Sequence, residues 1–251
     1  MSRYAGKVPD VPAFKRLPRA VREQQMLDAA VRTFSRRGFH AASMDEIADS
    51  AGISKPMVYA YLGTKEELFV ACLHREATRM LEAIAGAAAP DLPADLRLWR
   101  GLRAFFGFVG AHRDGWAVLY RQARGSQPFA GELATIRARM VEVVAGMLHH
   151  AQSEREPEPA REREPEPALE REPIREPAPI REREPEAVRE VGGTDLEVVA
   201  YALVGASESL ADWLADHPDA DPAATATRMM NVAWLGAARL LTGTTWTPPE
   251  E

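Results

Sequence analysis

Residues 43–69, SMDEIADSAGISKPMVYAYLGTKEELF, carry start and stop signals so closely spaced that only short helices fit between them. Ser43 is followed three residues later by Glu46, and Thr64 by Glu67. Both pairs have the capping-box pattern, in which hydroxyl and carboxylate each take one of the amides that a helix start leaves unpaired. Between them Ile47, Ala48 and Ala51 form a small apolar face, Gly52 supplies a turn and Ile53 plugs a core. Ser54 then caps a further helix that has Pro56 in its first turn, where a missing N–H costs little. The stretch reads as two short helices joined by a tight turn and followed by the start of a third, with Lys55, Met57, Tyr59 and Tyr61 carried outward on the middle one.

Upstream, Leu27, Ala30, Val31 and Phe34 recur at helical spacing and stop at Gly38. The net charge of −6 averages two unlike parts. Residues 1–65 hold 11 Lys or Arg against 6 Asp or Glu, a net of +5, which leaves −11 for residues 66–251. A basic module on an acidic body suits a chain that meets phosphate at one end. Lys15, Arg16, Arg19 and Arg22 lead into the first helix; they fit a reach toward a nucleic-acid backbone or minor groove and an ordinary solvated arm equally well. The single cysteine, Cys72, excludes an internal disulfide and a cysteine-cluster metal site, and its place on an apolar helix side marks it as a small buried hydrophobe. No run of the roughly 18–20 apolar residues needed to cross a bilayer stands out, the longest obvious one being Ala104 to Ala111, and no signal-peptide core precedes the first helix, so a cytoplasmic location is expected.

Helical periodicity continues through Leu68, Cys72, Met80, Leu81 and Ile84 to Pro90 and Pro93. It resumes over 94–112 with Leu96, Trp99, Leu102, Phe105, Phe106 and Val109, over 114–124, and over 131–151 with Leu133, Ile136, Met140, Val144 and Leu148. From Ser153 to Glu190 the composition changes to thirteen Glu, eight Arg and eight Pro in 38 residues. Proline at that density removes donors and clashes with preceding turns, so a disordered, solvated insertion is expected there; a linker between domains is the competing reading. Two apolar helices follow, Asp195 to Asp216 and Pro222 to Thr242. Leu196, Val199, Leu203, Leu210 and Leu214 on the first, with Met230, Ala233, Leu235, Ala237 and Leu241 on the second, offer more apolar surface than one layer of helix can cover. Nothing reads as a strand, and the expected class is all-α.

Five pieces in fixed order and spacing closely resemble the DNA-binding domain of the TetR family of transcriptional regulators. They are Leu27-Ala30-Val31-Phe34 ending at Gly38, Ser43 with Ile47-Ala48, Ala51-Gly52-Ile53-Ser54, Val58-Tyr59, and Lys65-Glu66-Glu67-Leu68-Phe69. The resemblance implies a basic arm (1–18), a three-helix helix-turn-helix domain (19–66) and a helical effector-binding and dimerisation domain (67–251) interrupted by the insertion. It implies that Lys55, Pro56 and Met57 face base edges in a major groove while Ser43, Tyr59, Tyr61 and Lys65 grip phosphates, an assignment that the anion-attracting helix starts near Ser43 and Lys65 support. Met57 and Ala60 depart from the residues common in the family, so a base contact by Met57 would be apolar. For the effector the resemblance points to the middle helices, with Trp99, Arg103, Phe106, Trp116, Tyr120 and Arg121 as candidate pocket residues, although aromatics at such spacing are as readily core. His112 reads as a helix-end cap.

The last two helices look like the family's dimerising pair, the alternative being two core helices of a monomer. The expectation is a homodimeric repressor that binds a palindromic operator and is released by a small hydrophobic effector; the alternative is a helical adaptor that no longer binds DNA. No glycine-rich phosphate loop, nucleophile elbow or metal-spaced histidine pair is present, His149 and His150 being adjacent, so no enzyme activity, metal, cofactor or membrane partner is expected. One prediction needs only the sequence. Because a segment so poor in apolar residues contributes almost nothing to a core, joining Gln152 to Val191 through a short Gly-Ser bridge should leave the melting temperature and the oligomeric state unchanged in calorimetry and light scattering.

Overall fold

Met26, Leu27, Ala30, Val31 and Phe34 follow the i, i+1, i+4, i+5, i+8 spacing of one helical face, and all five are buried on α1 (Arg19–Ala41). The structure, a computed structural model, describes residues 18–124, 127–153 and 193–241, the side chains of 127, 193–194 and 235–241 excepted. The arm up to 17, the insertion beyond Ser153 and the calls on Leu235, Gly236, Ala237 and Leu241 therefore lie outside the described residues. Gly38 takes a φ of 77° inside α1, a left-handed value that only glycine adopts without strain, and the bend returns Phe39 to the core.

Next come α2 (Met44–Ala51) and α3 (Lys55–Leu62), joined through Gly52. Gly52 has a φ of 67° and leaves the helix by the left-handed route, with its N–H on Asp49 and the Ile53 N–H on Ala48. The Thr64 capping box forms in full at the start of α4 (Lys65–Ala87): Thr64 N–H donates to Glu67 Oε2 at 2.8 Å and Glu67 N–H to Thr64 Oγ1 at 3.2 Å. At Ser43 only half of the box exists. Glu46 N–H donates to Ser43 Oγ at 3.1 Å, but the Glu46 carboxylate turns to Arg37. Ser54 occupies the N-cap position of α3 without a side-chain cap bond.

The chain divides into two compact units, Met1–Cys72 and Leu73–Glu251. The second contains α5 (Ala94–Ala111), α6 (Arg113–Trp116), α7 (Ala130–Ser153), α8 (Gly193–Asp216) and α9 (Pro222–Leu241), and no described residue is in a strand. In it α5 packs chiefly on α9, and α7 on α8. Pro222 leaves no room for a Cβ at Gly110, which lets α5 and α9 approach closely. The helix expected over 114–124 is interrupted: after α6 the chain widens into a π-helical turn, Ala117–Gln122, that carries the buried Val118, Leu119 and Tyr120 inward. The expectation about bilayer-length runs does not hold either. The Asp195–Asp216 part of α8 is long and apolar enough by composition to cross a membrane. Its Leu196, Ala200, Val204, Ala211 and Leu214 are instead buried inside this unit, as in the core helix of a helical layer.

Candidate functional site

In the first unit α3 stands on Val58, which is fully buried, and its other side chains project away from that anchor. Lys55, Pro56 and Tyr59 are exposed, Tyr59 at 45%, while Met57 and Tyr61 are half-buried. The half-burial has identifiable causes. Arg22 Nη1 lies 3.6 Å from Met57 Sδ, and the Arg19 guanidinium stands 5.2 Å over the Tyr61 ring. Lys55 Nζ donates to Asp45 Oδ2 at 2.9 Å, and this carboxylate holds the Lys55 ammonium above its ordinary pKa through the hydrogen bond and its charge. Ser43 is exposed at the start of α2, its oxygen taken by Glu46 N–H and its own hydroxyl proton left to donate.

Lys65 is placed otherwise than expected. Its Nζ donates to Phe39 O at 3.0 Å, His40 O at 3.3 Å and Ala42 O at 3.2 Å, and stands 4.7 Å over the Phe39 ring. An ammonium has three N–H donors, and here all three are directed at the carbonyls that end α1. The residue is therefore a clamp between α1 and α4, and a phosphate would meet the amides of the α4 N-terminus rather than this ammonium. Sequence spacing cannot show this, because the partners lie more than twenty residues away and none is a charged side chain.

In the second unit an apolar cavity with about 50 Å³ of free volume is lined by Ile84 of α4, Leu98, Gly101, Leu102 and Phe105 of α5, Met140, Val144 and Met147 of α7, and Leu203, Val204 and Ser207 of α8. None of the six expected pocket residues is in this lining. Phe106, Trp116 and Tyr120 are core, with Trp116 stacked on Tyr120 at 4.3 Å and its Nε1–H donating to Asp212 at 3.0 Å. Trp99 and Arg103 pair with each other at 5.4 Å, and Arg121 is bound to Asp216 at 2.6 Å. The reason is rotational. Positions 98, 101, 102 and 105 share one side of α5, and the more conspicuous 99, 103 and 106 lie around from it. Leu203, expected at a subunit interface, lines the cavity as well. His112 does act as a cap: its Nδ1 lies 3.1 Å from Phe108 O at the end of α5, and Nε2 lies 3.1 Å from Arg79 Nη2.

Beside Ser207, Glu208 is 3% exposed, and its Oε1 lies 3.2 Å from Arg137 Nε. Neither atom completes a hydrogen bond, so burial, followed by the negative charge of Asp212, prevails over Arg137 and pushes the carboxyl up to about 7.

The family model for bacterial regulatory proteins of the tetR family matches residues 26–72, and the model for the tetracyclin repressor-like C-terminal domain matches residues 95–163. A TetR-like transcriptional regulator from Rhodococcus sp. RHA1, known as a crystal structure, is 42% identical, with a TM-score of 0.66 over 89% of this chain and 99% of that one. The HTH-type transcriptional activator FasR of Mycolicibacterium smegmatis is 37% identical over 45% of this chain, and an HTH-type transcriptional repressor of Streptomyces coelicolor 29% identical over 45%. The chain spans about half the length of the curated relatives it matches, 52% of FasR and 62% of the repressor. FadR of Bacillus subtilis, solved in complex with stearoyl-CoA, shares the fold at 16% identity and a TM-score of 0.63.

Two predictions arise from these contacts. Lys65→Ala should lower the melting midpoint through about 1–3 kcal/mol of lost carbonyl capping while the salt dependence of DNA binding keeps its slope; a slope reduced by about one would return Lys65 to a phosphate role. Glu208, raised in the folded state from the ordinary 4.5 to about 7, binds more protons folded than unfolded between those values, so stability should fall as pH rises from 5 to 8. Chemical denaturation should show a loss on the order of 2 kcal/mol across that window, removed by Glu208→Gln.

Proposed function

The chain belongs to the TetR family of bacterial transcriptional regulators, and from that premise we propose that it works in the cytoplasm as a homodimer that grips a palindromic operator through two copies of α3 and leaves it when a small hydrophobic effector enters the α4–α5–α7–α8 cavity. The observation that carries the reading is the presentation of α3: Val58 is wholly buried, while Lys55, Pro56 and Tyr59 are exposed on a helix too short to be stable alone. Pro56 and Met57 at its start are the proposed base-edge group, with Lys55; Ser43, Tyr59 and Tyr61 are the proposed phosphate group.

A dimer is supported by an apolar stripe on α8. Val198 is 63% exposed, Tyr201 47% and Trp213 43%, and α9 adds Val232 at 76%. Val198, Tyr201 and Trp213 lie away from the buried Leu196, Ala200, Val204, Ala211 and Leu214 of α8, and among the described residues they remain exposed, as a face open to a partner would be. Leu203 and Leu210, half-buried beside the cavity and beside Trp213 respectively, are poorer probes of that interface.

Effector release is supported by a cavity that is almost wholly apolar and already nearly closed. An incoming chain must displace side chains to enter, and Met140 and Met147, unbranched and rotatable, are the ones able to move. Ile84 lies on α4, whose first turns belong to the first unit. The stearoyl-CoA of the Bacillus subtilis neighbour makes a long acyl compound the first probe to try. With an activator and a repressor both among the relatives, repression is the proposed sign and rests on operator position alone.

A mobility-shift assay with fragments from around its own gene tests the whole reading and separates it from that of a helical adaptor that has lost DNA binding. The wild type should retard one fragment, and acyl compounds should reverse the shift. Val198→Glu combined with Tyr201→Glu should give monomers by light scattering and weaken retention at least tenfold, since charge would be buried in a helix bundle. An unaltered dimer would remove the proposed interface.

A further inference from the structure

The cations around α3 fall into two sets with different partners. Arg19 and Arg22 lean on neutral groups, the Tyr61 ring at 5.2 Å and Met57 Sδ at 3.6 Å, and keep their full charge. Lys55 and Arg37 are each tied to a carboxylate of the first turn of α2: Lys55 Nζ to Asp45 Oδ2 at 2.9 Å, and Arg37 Nε to Glu46 Oε1 at 3.2 Å. Both pairs lie in water, with Lys55 and Asp45 side chains 46% and 64% exposed. Two exposed pairs of this kind contribute little to stability, and the helix start that favours acids in the first turn of α2 does not require Asp45 to reach across to Lys55. Duplex DNA approaching α3 does encounter them.

We propose that Asp45 sets the discrimination between operator and other DNA by competing with phosphate for Lys55, an inference that rests on α3 being the DNA-reading helix. On arbitrary sequence Lys55 must exchange one anion for another, which yields little, and the released Asp45 then faces the phosphates with its charge uncompensated. On a matched site base edges offset that penalty, since an aspartate accepts from the cytosine N4 amino group and a lysine donates to guanine O6 or N7. Asp45 thus weakens every complex and weakens the wrong ones most. Arg19 and Arg22, which have no acid to leave among the described residues, supply attraction regardless of sequence. The raised pKa of Lys55 agrees with a lysine that stays charged while it waits.

The test uses the full-length protein, a mixed-sequence 30-base-pair duplex as the non-specific probe and an operator recovered by selection from random duplexes. Asp45→Asn keeps the shape and removes the charge. It should tighten mixed-sequence binding about fivefold at 100 mM salt, steepen the log–log salt slope by about one, and tighten operator binding less, so that the specificity ratio falls. In a Lys55→Gln background the same change should give a clearly smaller gain, because the competition for Lys55 is gone and only the direct repulsion between Asp45 and phosphate remains. Circular dichroism and the melting temperature should confirm that each variant is folded.

Unchanged mixed-sequence binding by Asp45→Asn, with the wild type still binding DNA, would overturn the proposal and leave the DNA-binding reading intact. An equal gain in the Lys55→Gln background would also overturn it, by showing that Asp45 acts as bulk charge. Absence of duplex binding by wild type and variants alike would overturn both.

Discussion

Three aromatic rings and one ammonium hold the helix-turn-helix of the first unit together. Phe34 and Phe39 of α1 meet Phe69 of α4 with ring centroids at 5.0 and 5.2 Å, both steeply inclined, the favoured arrangement for rings whose edges are positive and faces negative. Lys65, one turn before Phe69, closes the same corner by taking the carbonyls of Phe39, His40 and Ala42. The end of α1 and the start of α4 are thereby locked together. Residues 43–64, which contain α2 and α3, must leave and return within that clamp, so α3 has little freedom beyond the rotation that buries Val58. Changes to the clamp would act on DNA binding without any contact to DNA.

The second unit solves a different problem, that of charge in a helical core. Glu76 is 1% exposed and would be intolerable alone; Arg75 approaches its Oε1 to 2.7 Å and Arg79 to 3.4 Å. A Cβ on Gly115 would come within 2.6 Å of Glu76 Oε2, so the carboxylate fits against α6 because that position is glycine. Arg113 donates to the carbonyls of Leu214, Ala215 and Pro218 and so caps α8. The cavity lining is apolar apart from Ser207. Glu208 is the exception next to it, a buried carboxyl whose arginine is close but misaligned.

Electrostatics at the two ends of the chain therefore have opposite characters. Near the cavity, buried charges are paired to keep the interior neutral. Around α3, Lys55 and Arg37 are paired with exposed acids of α2, while Arg19 and Arg22 rest on a ring and a sulfur.

What the sequence determined by itself is whatever depends on neighbours within about one helical turn. The Thr64 box, the Gly52 turn and the limits of α5, α8 and α9 all follow from signals three or four residues apart, and so does the all-α class. Choices of partner across the fold were not legible. Glu46 has a local option at Ser43 and takes Arg37; Lys65 looks like a free surface cation and ends on three carbonyls; Leu203 turns to the cavity while Tyr201, two residues earlier, faces out. Two adjacent stripes of α5 are equally apolar, and only the packing of α7 and α8 selects the one that lines the cavity. The widening to a π-helical turn at Ala117–Gln122 likewise has no local signal. In each case one helix offers several faces or donors of nearly equal intrinsic preference, and the tertiary structure chooses among them by what lies opposite.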